Sequence, residues 1–85
     1  MTLAAFRRLP PRTQLLLVMH EGTYLAHRRD EDACLTNLYY IANGEAGFFT
    51  EVGFDDRQEC LIVLRSLSSA ALLEEYAQGV RLPRL

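Results

Sequence analysis

Apolar residues change their spacing along the chain, and each change marks an element. Leu15, Val18 and Met19 recur at i, i+3 and i+4, which predicts a helix over residues 11–21, with Leu16 and Leu17 widening its apolar arc. Pro11 suits the first turn of that helix, and Gly22 reads as the residue that stops it. Before it, residues 2–9 suit a short helix or turn with Thr2 as its N-cap.

Beyond Gly22 the pattern shortens to the alternation of strands. "GTYLAHRR", "ACLTNLYYIA", "FFTEVGF" and "CLIVLRSL" are rich in β-branched and aromatic residues. The segments between them, "DED", "NGEAG" and "DDRQE", carry turn residues, and Gly53 reads as a bulge. "AALLEEYAQ" then predicts a last helix, capped by Ser68 or Ser69 and ended by Gly79. Short connections between successive strands favour an antiparallel meander. The expected fold is therefore a single α+β domain over 1–85. It is a two-layer arrangement in which a four-stranded meander sheet is flanked by an N-terminal and a C-terminal helix (α-β-β-β-β-α).

The sheet faces do not divide cleanly into apolar and polar. In the third strand Phe48, Thr50, Val52 and Phe54 share one face, and Phe49, Glu51 and Gly53 share the other. Similar mixing in the second and fourth strands leaves large apolar groups on whichever face the helices miss. An exposed face of that kind implies an interface, with Phe49, Leu61, Val63, Tyr40 and Leu38 as its expected residues. A second copy related by a two-fold axis is the simplest cover. The competing arrangement sets the first and last helices on opposite faces, so that one chain covers both.

Composition narrows the function classes. The chain is 49% apolar and 24% charged, as a folded globular protein is. Nine arginines and no lysine face eleven acidic groups, for a net charge of −2. No basic field gathers phosphates, so nucleic acid is not an expected partner. "QLLLVMH" is too short to cross a bilayer, no signal peptide is apparent, and a cytoplasmic protein without membrane partners is the expectation. Cys34 and Cys60 form no CxxC pattern and read as small buried groups.

Few groupings suggest chemistry. The meander brings two turns to one end of the sheet. There Asp30, Glu31, Asp32, Asp55 and Asp56 make an acidic tip suited to recognising a basic partner, without the ligand spacing of a calcium loop. His20, His27, Cys34 and Cys60 match no zinc pattern, and neither a metal nor another cofactor is expected. His27 and Cys34 flank one turn, which makes them the nearest approach to a nucleophile–base pair. Glu51 and Arg65 on neighbouring strands suit a cross-strand ion pair. With Tyr39 and Tyr24 they define a patch for a ligand or partner.

"GTYLAHR", "NLYYIANG", "FFTEV" and "LRSL" together resemble small uncharacterised bacterial α+β proteins, a resemblance that implies no activity and no catalytic residues. The expected function is a non-enzymatic interaction module, homodimeric through the second sheet face, of adaptor, immunity, antitoxin or inhibitor type. The alternative is a small-ligand binder or enzyme with a pocket lined by tyrosine, Arg65 and Glu51.

Overall fold

The computed structural model describes residues 1–29, 35–44 and 46–80, with side chains as far as 77. These form α1 (Leu3–Arg7), α2 (Pro11–Glu21), β1 (Thr23–Arg29), β2 (Leu35–Asn43), β3 (Ala46–Asp55), β4 (Cys60–Leu67) and α3 (Ala71–Val80). The strands make one antiparallel sheet in the order β1-β2-β3-β4, which is the expected meander.

Local chemistry accounts for most boundaries. Thr2 caps α1 by accepting from the Ala5 N–H. Pro11 opens α2, where a missing N–H costs no hydrogen bond. Gly44 takes a left-handed φ of 63° in the turn between β2 and β3. The Ser69 hydroxyl accepts from the Ala71 N–H at the start of α3.

Gly22 stops α2 as expected, and the readings of Gly53 and Gly79 change. Gly22 ends α2 in an extended conformation. A side chain there would strike the Val18 carbonyl and the Tyr39 ring, so close approach explains the glycine. Gly53 is not itself the bulge. The extra residue is Leu64 on β4, between the pairs Glu51–Arg65 and Val52–Val63. Gly53 leaves room for that leucine, whose Cδ1 would lie 2.7 Å from an added Cβ. Gly79 does not end α3, which continues to Val80. A second bulge, at Leu25, interrupts β1, so both outer strands carry one.

The layering also differs from the two-layer expectation. One core cluster joins Phe6 of α1 and Val18 of α2 to Ile41, Phe48 and Val52 of the sheet. A second joins Leu72 and Tyr76 of α3 to Leu38, with Phe49, Leu67 and Ala26 packed against it. Ile41 and Leu38 stand three places apart on β2 and point to opposite sides, as do the neighbours Phe48 and Phe49 on β3. The helices therefore flank the sheet in three layers. The second phenylalanine is covered by the chain's own last helix, because Leu72 and Tyr76 give α3 an apolar stripe that needs a face of its own.

The first helix is tied to the last strand. The Arg7 guanidinium donates to the Ser66 carbonyl of β4 at 2.6 Å, fixing α1 over the last strand.

Candidate interaction surface

The expected interface residues divide between the two faces. Leu38 is fully buried beneath α3. Phe49 is half-buried there, with the Tyr40 ring 5.2 Å away between centroids. Val63 lies on the opposite face, packed against the α1/α2 core. Of the five, Leu61 alone is exposed.

The expected patch of Glu51, Arg65, Tyr39 and Tyr24 is divided too. Glu51 and Arg65 are paired across β3 and β4, with Arg65 Nε 3.1 Å from Glu51 Oε1. Tyr24 and Tyr39 face the other way. Their rings meet edge-on at 5.8 Å, and the Tyr24 hydroxyl shares a 2.6 Å hydrogen bond with His27 Nδ1. The tyrosine beside Glu51 is Tyr76, which the sequence reading treated only as part of a helix. Its spacing from Leu72, one helical turn, was the available signal that it faces the sheet.

Around Glu51 the four strands and α3 assemble a closed polar network. Glu51 is 3% exposed. Its Oε2 accepts from the Tyr76 hydroxyl at 2.7 Å and lies 3.6 Å from Arg28 Nη2. The Tyr76 oxygen also shares a 2.9 Å hydrogen bond with Thr36 Oγ1. A phenol has one proton, so while Glu51 receives it the threonine donates in return. Arg65 reaches onward to Glu75 of α3 at 2.9 Å, and Arg28 approaches the same carboxylate at 3.4 Å. Arg28 also lies over the Tyr76 ring, its guanidinium carbon 5.0 Å from the centroid.

The titration behaviour follows from this geometry. Burial pushes the Tyr76 phenol above its ordinary value, with the Glu51 charge adding to the effect and Thr36 and Arg28 opposing it. The Arg65 hydrogen bond holds the Glu75 carboxyl below the usual range, against a smaller opposing contribution from burial. Hydrogen bonds from Arg65 to Glu75 and Glu51 raise the arginine further above neutrality. Two cations meet two anions with every carboxylate engaged. The network fastens α3 to the sheet and leaves Glu51 no open side for a substrate.

The exposed apolar surface lies elsewhere. Phe54 pairs with Leu61, and Leu35 adjoins Thr36, whose partner is Gly53, so Leu35, Phe54 and Leu61 stand in register across three strands. They point to the α1/α2 side but lie beyond the helices, 43%, 50% and 43% exposed. Arg29, paired with Leu35, heads this row at the β1 edge. The turn bearing Asp55, Asp56 and Glu59 joins β3 to β4 just beyond the Phe54–Leu61 pair. Asp55 accepts from the Arg57 N–H at 3.0 Å, which makes it in part a turn former. Asp30, Glu31 and Asp32 of the expected acidic tip, and Cys34, lie outside the described residues.

Past Leu61 the row runs into a cavity of about 390 Å³ between β4 and the start of α2, lined by Pro11, Arg12, Leu15, Gln58, Cys60, Leu61 and Ile62. Cys60 is exposed, contrary to its expected burial, because it opens an outer strand at the cavity wall.

No family model, curated protein or solved structure matches this chain. No helix among the described residues is long and apolar enough to cross a membrane.

Proposed function

We propose that this chain is a non-enzymatic, cytoplasmic protein-interaction module that pairs with a second copy of itself. The uncovered end of the α1/α2 face replaces the expected α3 face as the surface of association. The supporting observation is the row Leu35–Phe54–Leu61, three large apolar side chains in register and about half exposed. A two-fold pair sets this row against its own copy, so each apolar surface covers the other.

Burying the exposed half of each apolar side chain contributes about 1 kcal/mol. Three from each copy, set against the entropy of association, give a weak dimer that depends on concentration. The ligand reading built on tyrosine, Arg65 and Glu51 has less support, because Glu51 is sealed and the cavity described above is lined by other residues.

Light scattering after size exclusion tests the proposal. The 9.7 kDa chain should approach twice that mass as concentration rises. Phe54→Glu should hold it at the monomer mass with its circular dichroism unchanged. A wild-type chain that stays monomeric throughout, or a folded Phe54→Glu chain that still pairs, overturns the proposal.

A further inference from the structure

The cavity at the start of α2 has a composition of its own. Its volume of about 390 Å³ falls in the range of roughly 300–1,000 Å³ typical of small-molecule sites. Pro11, Leu15, Leu61 and Ile62 supply apolar walls, and Arg12, Gln58 and Cys60 supply the polar ones. The Arg12 guanidinium makes no hydrogen bond or ion pair with another of the described residues. The paired arginines differ from it: Arg28 and Arg65 are held by Glu51 and Glu75.

Arg12 also sits where cations are disfavoured. α2 opens on Pro11 after Pro10, with no side-chain cap and no acidic residue in its first turn. The positive end of the helix dipole and the guanidinium therefore add their fields at one mouth of the cavity. Asp55, Asp56 and Glu59 of the adjoining turn lie outside the lining, with Arg57 among them.

We propose that this cavity is a binding site for a small carboxylate with an apolar tail. The carboxylate pairs with Arg12, and the tail lies against Leu15 and Leu61. A guanidinium in a partly apolar setting suits a carboxylate through two parallel N–H donors. The site shares Leu61 with the row proposed for pairing, and its other lining residues lie outside that row.

Cys60 provides the readout, since it is exposed and among the residues that line the cavity. Octanoate is the probe and octanol its uncharged counterpart. Octanoate should slow alkylation of Cys60 by iodoacetamide, read on the Cys60 peptide by mass spectrometry, and octanol should protect it far less. Arg12→Gln should weaken octanoate about ten- to a hundredfold, the loss of one charge-assisted pair, while Arg12→Lys keeps part of the affinity. Arg12 is on the surface, and circular dichroism checks that both variants fold. Equal protection by octanol and octanoate, no protection by either, or undiminished binding in Arg12→Gln overturns the assignment. Leu61 belongs to both the row and the cavity wall, so Cys60 protection is measured at a concentration where light scattering gives the single-chain mass, and the two proposals then fail separately.

Discussion

The Tyr76 hydroxyl donates to Oε2 of Glu51 across 2.7 Å, joining the last helix to the middle of the sheet beneath a fully buried ring. Tyr76→Phe keeps the ring and its packing but deprives a buried carboxylate and Thr36 of a partner. Losing one hydrogen bond to a buried charged group costs about 1.5–3 kcal/mol. Urea unfolding should show a midpoint lowered by that loss divided by the slope, with the slope unchanged because the buried surface is unchanged. A midpoint equal to that of the wild type would place the Glu51 carboxylate in contact with water.

The same network sets both limbs of the stability–pH profile. The carboxyl of Glu75 is lowered in the folded state from its ordinary value of 4.5. Its contribution is therefore complete above that value and is lost as pH falls toward the depressed one. Glu75 is partly exposed, so the loss is modest and shrinks further in salt. The Tyr76 phenol is raised from 10.0 in the folded state. Its contribution is complete below that value. It disappears at higher pH, where the unfolded chain ionises while the native phenol keeps its proton. Melting temperature against pH should decline on both sides. Glu75→Gln should flatten the acid limb and Tyr76→Phe the alkaline one.

Glu59 holds a left-handed φ of 54° in the turn that leads into β4. A side chain in that region costs about 1 kcal/mol, which glycine avoids. Glu59→Gly should therefore raise stability, less whatever entropy glycine adds to the unfolded chain. The expected gain is a few tenths to about 1 kcal/mol, read as an increase in urea midpoint.

The sequence made the order of elements legible where local chemistry set it. α2 and β4 have the predicted bounds, the first because proline opens it and the second because a turn precedes an unbroken β-forming run. Glu51 and Arg65 were legible as a pair because a short turn joins their strands. The side of the sheet taken by α3 was not. Alternation within a strand shows that both faces are apolar, but it does not say which helix crosses to which. Phe49 and Leu38 belong together with Leu72 only once the chain leaves Leu67 toward that side. Tyr76 was missed for the same reason. It lies 25 positions from Glu51, and no local period connects them.

The bond from Arg7 to Ser66 has a consequence for how the protein is made. The first helices leave the ribosome well before β4, on which much of their packing depends. During synthesis their apolar sides have no finished surface to lie on until β4 has been translated.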